Sequence, residues 1–248
     1  NKYTKIFTCC QHIRYSNLID KWIEIGINVV FLSHKIILVD NYKSLKIYAC
    51  PLYAANIECN LRNNLYLKNK NNLLNRNRKH TLAFQGTYTD KYISDIRKKI
   101  FQFKWPDNYY IKKTENWHFQ IDVYGNKSKK INEQNIRKEA ESYNQLLLDS
   151  KYSLCPSGTG PNSIRLWESM AFGSIPIILA DSLDLPKNDY WDISVIRVLE
   201  NDIHLIPKIL ENISKDMENQ MRKNCLFLYE FFKNDYILKK EKHLILNS

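Results

Sequence analysis

The chain has 248 residues, 44% of them hydrophobic, and a formal charge of +11 at neutral pH. This length and apolar content are enough to bury a substantial core, in one large domain or in two small lobes. No stretch approaches eighteen uninterrupted apolar residues and the N-terminus lacks a signal-peptide pattern, so we predict no membrane-spanning segment.

The positive charge favours an anionic partner, which could be nucleic acid, a membrane surface or a phosphorylated substrate. No zinc knuckle, RNP-like aromatic pair or helix-turn-helix spacing accompanies the charge, so we predict no nucleic-acid partner. Part of the excess lies in the asparagine- and lysine-rich stretch 68–80, which we interpret as a solvated loop.

The six cysteines form no CxxC pair and do not cluster with histidines at metal-ligand spacing. Reduced thiols in a cytosolic protein explain this usage. We therefore expect a cytoplasmic protein, and its basic charge is compatible with peripheral association at the inner face of the membrane.

The first hundred residues alternate strand and helix patterns. The predicted strands cover residues 3–9, 28–32, 35–39, 46–50 and 80–85, and the predicted helices cover residues 17–25 and 88–102. Gly26 follows the first helix, where a residue free to adopt positive φ commonly ends a helix. A strand–helix–strand unit of this length favours a right-handed crossover and a parallel sheet.

The remainder of the chain continues the alternation. Predicted strands cover residues 118–124, 152–155, 175–179 and 193–198, and predicted helices cover residues 133–148, 161–172, 202–212 and 215–233. We place a boundary in the loop around residues 106–117, which gives an N-terminal lobe of residues 1–116 and a C-terminal lobe of residues 117–248. The order of elements in the second lobe is that of a doubly wound sheet.

A glycine-containing loop in the second lobe is the strongest functional signal. Gly158 and Gly160 flank Thr159, between the strand 152–155 and the helix 161–172. Such a loop can bring backbone N–H groups close to a phosphate, with the positive end of the helix dipole behind them. The sequence has no GxxxxGK(S/T) here, which excludes a P-loop. We therefore predict an anion-binding site at this loop.

A dinucleotide-binding turn is the nearest alternative for the same stretch. Gly158, Gly160 and Ser163 make a degraded GxGxxG, and Asp181 ends the next strand at roughly the distance expected for a ribose-binding carboxylate. The third glycine of that fingerprint is missing.

The following helix carries a further pair that this fingerprint does not require. Arg165 and Glu168 are three residues apart and so lie on one helix face. The pair could be a simple intrahelical ion pair. At this position, however, an arginine can neutralise a diphosphate and a deeper carboxylate can accept hydrogen bonds from both ribose hydroxyls.

These residues carry a resemblance to a known family. The stretch 150–186, SKYSLCPSGTGPNSIRLWESMAFGSIPIILADSLDLP, resembles the C-terminal signature of exostosin-type glycosyltransferases (family 47). That signature runs cysteine-proline-x-glycine-x-glycine, asparagine-serine and arginine-x-tryptophan-glutamate before a strand and an aspartate. The stretch 81–101, TLAFQGTYTDKYISDIRKKIF, also resembles the family, in which a phenylalanine-x-glycine turn precedes an arginine on the next helix.

The resemblance implies an α/β fold of the GT-B type, with two Rossmann-like lobes and a cleft between them. It implies an inverting, metal-independent transfer from a nucleotide sugar, which we take to be a UDP-sugar, to a glycan or lipid-linked glycan acceptor, without a cofactor. The N-terminal lobe would lie on the acceptor side, the C-terminal lobe would hold the donor, and the final helices would pack back on the first lobe.

The resemblance also assigns site residues by matching position. Backbone groups of the glycine loop would bind the diphosphate, three polar side chains would support it, Glu168 would hold the ribose and Arg97 would reach the phosphates. The loop residues are Ser157, Gly158, Thr159 and Gly160, and the supporting residues are Asn162, Ser163 and Arg165. The family usually has an arginine or lysine in place of Ser157. For Arg97 the alternative is a solvated cation beside Lys98 and Lys99.

The catalytic base is assigned on weaker grounds. His12 follows the first strand at an edge that would face the cleft, and histidine titrates near neutral pH. The sequence lacks a tight DxD arrangement, so we expect no metal. Two other functions stay open at this stage: an NAD-type oxidoreductase that uses Asp181 on the ribose, and a noncatalytic module that binds an anionic ligand.

Overall fold

The computed structural model describes residues 5–115 and 133–236. Its first sheet contains four strands in the order β1-β2-β4-β3. Three of them are parallel, and β3 pairs antiparallel with β4. The strands are β1 (Phe7–Cys10), β2 (Val29–Leu32), β3 (Asn41–Tyr42) and β4 (Leu45–Ala49).

The second sheet contains five parallel strands in the order β6-β5-β7-β8-β9. Its strand β8 is a continuous apolar run and all but one residue of β7 are buried, as is typical of a parallel sheet covered on both faces. The strands are β5 (His80–Gly86), β6 (Tyr109–Lys113), β7 (Ser150–Pro156), β8 (Ile175–Leu179) and β9 (Ile196–Arg197).

Helices connect the strands and cover the sheets. They are α1 (Ile19–Glu24), α2 (Ala55–Glu58), α3 (Asn64–Asn69), α4 (Ile96–Gln102), α5 (Glu133–Leu148), α6 (Ile164–Ala171), α7 (Ile206–Glu211) and α8 (Lys215–Asn234). Gly173, with φ of 64°, follows α6, and the Ser214 side chain caps α8 by accepting from the Met217 amide at 3.2 Å. Among the described residues, no helix has both the length and the apolar content needed to cross a membrane.

Alternate side chains of β2 belong to two different cores. Val29 and Phe31 join the larger core, which is built around the five-stranded sheet, α6 and α8. Val30 and Leu32 join a smaller core with α1 and β4. Because successive side chains of a strand point to opposite faces, β2 is buried on both faces.

Several predicted elements are shorter than expected or absent, and two of them bear on the site. The stretch 35–39 is not a strand: Leu38 has a φ of 68° and is 95% exposed, and only Ile36 forms an isolated bridge, to Leu183. The helix predicted over residues 88–102 is limited to α4, because the segment before it turns to follow the glycine loop, where the Ile93 amide donates to the Gly158 carbonyl at 2.9 Å.

The predicted boundary between residues 116 and 117 does not coincide with the division between the sheets. β5 and β6 precede that boundary, yet they pair in the sheet of β7. The division between the sheets therefore falls between the end of β4 and the start of β5. Residue 117 and the strand predicted over residues 118–124 lie outside the described residues.

The asparagine-rich stretch is not wholly solvated, which corrects our interpretation of it. Its Arg78 is 6% exposed and donates to five backbone carbonyls.

Further along the chain, Tyr236 just beyond α8 donates its hydroxyl to the Ala49 carbonyl at 2.7 Å, so the C-terminal helix contacts the first sheet.

Candidate active site

The glycine loop, residues 157–160, joins β7 to α6 at the carboxyl edge of the parallel sheet, where ligands of such sheets bind. Its amides are not all free. Ser157 donates its amide hydrogen to the Leu179 carbonyl at 2.9 Å, and Gly158 donates its amide hydrogen to the Gly160 carbonyl at 3.0 Å. Two of the four loop amides that we expected to hold a phosphate are therefore engaged within the chain, while Thr159 at the tip is exposed.

Neighbouring side chains pack closely against both glycines of the loop. A Cβ on Gly158 would lie 2.9 Å from Nη2 of Arg97, and a Cβ on Gly160 would lie 2.5 Å from Nδ1 of His34. Such separations are closer than carbon and nitrogen tolerate. The glycine spacing is thus explained by two side chains that press on the loop, a reason that the sequence pattern does not reveal.

Arg97 and Arg165 form a pair of guanidinium groups beside the loop, which we call the arginine pair. Nη1 of Arg97 and Nη2 of Arg165 each lie 3.5 Å from the point where a Cβ on Gly86 would stand, so they are no more than twice that distance apart. Both guanidinium groups lie near the Phe84 ring, at 5.8 and 4.5 Å from its centroid. Arg97 is therefore not the solvated cation of our alternative interpretation.

Neutral oxygens hold the arginine pair in place. Arg97 donates from Nε to the Ser157 carbonyl at 2.8 Å, and Arg165 donates from Nε to the Tyr143 hydroxyl at 3.1 Å and from Nη2 to the Gln85 carbonyl. Within the described residues, no carboxylate lies at ion-pair distance from either guanidinium.

The electrostatics of the arginine pair favour an anion. Burial lowers the pKa of Arg97 to about 10, and the repulsion between Arg97 and Arg165 contributes to this lowering. Arg165 also lies in the first turn of α6, where the helix dipole is positive, and Ser163 at the N-cap provides no side-chain cap. A diphosphate is the kind of ligand that would neutralise both guanidiniums.

Asn162 does not present a free side chain to a phosphate in the way we predicted. Asn162 donates from Nδ2 to the Ser33 carbonyl at 2.8 Å and accepts from Nε1 of Trp167 at 3.0 Å. Both ends of its amide are therefore occupied, and it links the glycine loop to the turn after β2. Ser163 is half-buried in extended backbone at the start of α6.

Glu168 lies one helical turn below Arg165 and is 1% exposed. Its Oε1 accepts the Asn56 backbone amide hydrogen at 3.0 Å. Burial raises the pKa of Glu168 to about 7, and the Asn56 hydrogen bond and the Arg165 charge act against that rise. The carboxylate is thus buried where the two sheets meet, as we expected of a deeper carboxylate, and the backbone at Asn56 covers it.

His12, the predicted base, is exposed after β1. Its Nδ1 accepts the Arg14 amide hydrogen at 3.0 Å. A neutral ring in this arrangement carries its proton on Nε2 and has no free lone pair, so the Arg14 contact must break before His12 can accept a proton. The histidine that touches the glycine loop is His34, which our sequence analysis did not select.

Sequence reasoning also missed two polar neighbours of Ser157. The Ser157 hydroxyl donates to Oε1 of Glu200 at 2.9 Å and lies 2.9 Å from the Ser94 hydroxyl. Asp181, the ribose contact of the dinucleotide alternative, instead accepts the Glu200 amide hydrogen at 3.0 Å. Glu200 is far from the loop in sequence, and no local signal marks it.

The turn after β2 fastens the first sheet to the second beside this site. Lys35, 2% exposed, forms ion pairs with Asp40 at 2.9 Å and with Asp184, which follows β8. The Ile37 amide donates to the Ser182 carbonyl at 3.0 Å. These contacts fix the position of the turn relative to the glycine loop.

One other feature lies apart from this arrangement. A cavity of about 260 Å³ lies between α3 and α8, lined by residues that include Tyr66, Leu73, Ala171 and Tyr229. It adjoins the C-terminal end of α6, whereas the arginine pair is at the N-terminal end.

In ranges 5–115 and 133–236, no three His, Cys, Asp or Glu side chains are grouped as a metal site. The expected metal independence stays a prediction.

The fold and the site define an α/β protein with a parallel sheet and a pair of arginines beside the loop at its carboxyl edge. Residues 14–213 match the exostosin GT47 domain. This match spans well over half of the chain, and the chain therefore belongs to the exostosin GT47 family.

Curated relatives agree with the family match. The chain is 24% identical over 185 residues to an exostosin-1 homolog of Caenorhabditis elegans, covering 73% of this chain and 48% of the relative. It is 31% identical over 84 residues to a probable glucuronoxylan glucuronosyltransferase of Arabidopsis thaliana, covering 33% of the chain and 18% of the relative. It is 38% identical over 78 residues to a probable glucuronosyltransferase of Oryza sativa subsp. japonica, covering 31% of this chain and 19% of the relative.

The matched region thus spans about half or less of each relative's length. The family resemblance seen in the sequence is confirmed. The family match also takes the place of the dinucleotide-binding alternative for the glycine loop. The cellular location stays a prediction.

Proposed function

We propose that the protein is an inverting glycosyltransferase that transfers a sugar from a UDP-sugar to a glycan acceptor. The observation that carries this proposal is the arginine pair. Two guanidinium groups next to a helix N-terminus, with no carboxylate partner among the described residues, match the charge of a diphosphate. In this proposal the two sheets belong to the two lobes of a GT-B enzyme, divided between β4 and β5, and the donor lies where they meet.

The reaction needs a stabilised leaving group. The acceptor oxygen attacks the anomeric carbon, the bond from that carbon to the diphosphate oxygen breaks, and the UDP leaves with the bonding electrons. Arg97, Arg165 and the positive end of α6 stabilise the charge that develops on the diphosphate. His12 stays the proposed acceptor of the proton, because it lies just after the carboxyl end of β1. Its contact with the Arg14 amide must be released first.

Glu168 is the proposed ribose contact. A carboxylate can accept hydrogen bonds from the two ribose hydroxyls, and the Asn56 amide occupies one of these positions on Glu168. Donor binding in this proposal therefore displaces the start of α2, which carries Asn56 over the carboxylate. The acceptor is a glycan or a lipid-linked glycan, and no nucleic-acid partner or cofactor is part of the proposal.

The names of the plant relatives suggest UDP-glucuronate as the first donor to test. Isothermal titration of the purified chain with UDP should give saturable binding. In Arg165→Gln and Glu168→Gln we expect the affinity for UDP to fall by about tenfold or more, because each removes a charged partner of the nucleotide. Transfer from UDP-glucuronate should fall at least as far.

Arg137→Gln is the matched control, because Arg137 is an exposed arginine on α5 that pairs with Glu133 at 3.9 Å. It should bind UDP like the wild type. Equal affinity for UDP in Arg165→Gln and in the wild type would contradict the assignment of the diphosphate to this site. Binding of NAD in preference to UDP would contradict the proposed donor.

A further inference from the structure

The His34 imidazole is a buried polar group at the proposed donor site that no role assigned so far uses. It is 7% exposed, and within the described residues its Nδ1 has no hydrogen-bond partner. An unsatisfied buried acceptor is costly, and such groups in a native protein usually have a function or a missing partner. His34 therefore requires an explanation that the ligand-free chain does not supply.

The ring is held in one tautomer. It makes a hydrogen bond to the Gln11 backbone that favours its protonated form, as a bond to a carbonyl oxygen does. Since Nδ1 has no partner, the nitrogen that donates is Nε2. Burial nevertheless lowers the pKa of His34 to about 4, so the ring is neutral at physiological pH. A neutral ring that donates from Nε2 presents a lone pair on Nδ1.

That lone pair is directed at the glycine loop. Nδ1 is the closest His34 atom to the point where a Cβ on Gly160 would stand, 2.5 Å away, so the Gly160 backbone covers Nδ1 and only the absence of a side chain allows this contact. Neither the Thr159 amide nor the Gly160 amide donates a hydrogen bond within the described residues. A ligand can reach Nδ1 only if this part of the loop moves aside, and in the part of the chain that the structure describes the backbone hydrogen bond that this movement breaks is that from the Gly158 amide to the Gly160 carbonyl.

The backbone on either side of His34 is fixed to the second sheet. Ser33 accepts from Asn162, and Lys35 pairs with Asp184. His34 accordingly keeps its position relative to the second sheet when the Thr159 tip, which has no such anchor, moves. A residue that is locked in place and offers one acceptor atom is suited to recognise a hydroxyl group.

We propose that His34 is a sugar-binding residue, whose Nδ1 accepts a hydrogen bond from a hydroxyl group of the sugar that the nucleotide carries. This inference rests on the function proposed above and deepens it by naming a contact to the sugar. The arginine pair holds the diphosphate, with Arg97 against Gly158, and His34 lies against Gly160 in the same loop. A site built around an acceptor discriminates strongly against a ligand that lacks the matching hydroxyl.

The test compares affinities for UDP and UDP-glucuronate in two variants that separate the ring nitrogens. His34→Gln can keep a donor near the Nε2 position but has no acceptor near Nδ1. His34→Asn can place its amide oxygen near the Nδ1 position. We expect the ratio of the two affinities to change by about tenfold in His34→Gln, since one hydrogen bond to the sugar is lost, and by much less in His34→Asn. The affinity for UDP alone should stay within about twofold in both variants.

His204→Gln, at an exposed histidine far along the chain, is the matched control and should change neither affinity. An unchanged ratio in His34→Gln would overturn the inference. A parallel loss of affinity for UDP and UDP-glucuronate would also overturn it, since that result shows a structural role. If the wild type binds no UDP, the proposed function itself fails, and this outcome is distinct because it appears before any variant is made.

Discussion

The two ends of α6 each carry a pair of buried or half-buried arginines, and the pairs differ in what surrounds them. At the C-terminal end, Arg78 and Arg222 contact Gly173 and donate to backbone carbonyls, and Arg222 also pairs with Glu218. At the N-terminal end, Arg97 and Arg165 reach only neutral oxygens among the described residues.

The helix dipole explains the difference. Carbonyl groups point out of the C-terminal end of a helix and attract cations, so Arg78 can satisfy the last carbonyls of α5 and α6 without any ligand. The N-terminal end is positive, and a pair of arginines there is unfavourable until an anion binds. Burial also lowers the pKa of Arg78, to about 9, so desolvation alone does not distinguish the two pairs. The same residue type is structural at one end and, we propose, functional at the other.

The largest expected effect tests the structural side of this comparison. Arg78→Leu leaves five backbone carbonyls without their donor, and we expect the free energy of unfolding to fall by about 4 kcal/mol or more. Arg165→Leu should change it by about 1 kcal/mol or less, because the variant also removes a repulsion with Arg97. Urea unfolding followed by tryptophan fluorescence measures both. Equal losses in the two variants would mean that the pairs have the same role.

A second prediction concerns Glu168, which lies between the two ends of α6. Burial raises its pKa from the ordinary 4.5 to about 7. Between these two pH values the folded protein keeps a proton on Glu168 that the unfolded chain has already released. The contribution of Glu168 to stability is therefore fully present below pH 4.5 and is lost as the pH rises to about 7, by about 3 kcal/mol in all.

Glu168→Gln lacks this proton, so the difference in unfolding free energy between wild type and variant should follow that pH dependence. Urea unfolding of both proteins between pH 4.5 and 8 measures it. A difference that stays constant across this range would show that Glu168 is not held in the protonated form.

A third prediction isolates the functional pair by using inorganic pyrophosphate as the ligand. Pyrophosphate carries the charge of the donor without its base or sugar, and we expect Arg97→Gln to weaken its binding by about 30-fold, which is about 2 kcal/mol. Lys98→Gln, at the exposed neighbour of Arg97 on α4, should have little effect. Isothermal titration at one fixed ionic strength gives both values. A similar loss in the two variants would indicate a diffuse attraction rather than a site.

The smallest expected effect is a coupling between Gly160 and His34. Gly160→Ala places a methyl group against a buried ring and should cost about 2 kcal/mol, whereas Gly158→Ala meets the movable end of Arg97 and should cost less. Adding His34→Ala to Gly160→Ala should recover about 1 kcal/mol. Chemical unfolding of the single and double variants measures the coupling. Strict additivity would show that the ring and the glycine do not touch.

The sequence by itself determined the family and most of the second sheet. The apolar runs of β7 and β8 and the helix α5 are found where their patterns predict them, because these elements are buried enough for hydrophobic periodicity to mark them. The motif around Arg165 and Glu168 was equally visible, since its residues are close together in the chain.

Only the tertiary structure decided which groups are available at the site. The amides of Ser157 and Gly158, both ends of Asn162 and the ring of His12 are engaged by partners, and Glu168 is covered by Asn56. His34 and Glu200 reach the glycine loop across long sequence separations, and no local pattern encodes such contacts. Sequence spacing fixes what a helix face or a loop carries, but hydrogen-bond partners and burial depend on the packing of segments that are distant in the chain.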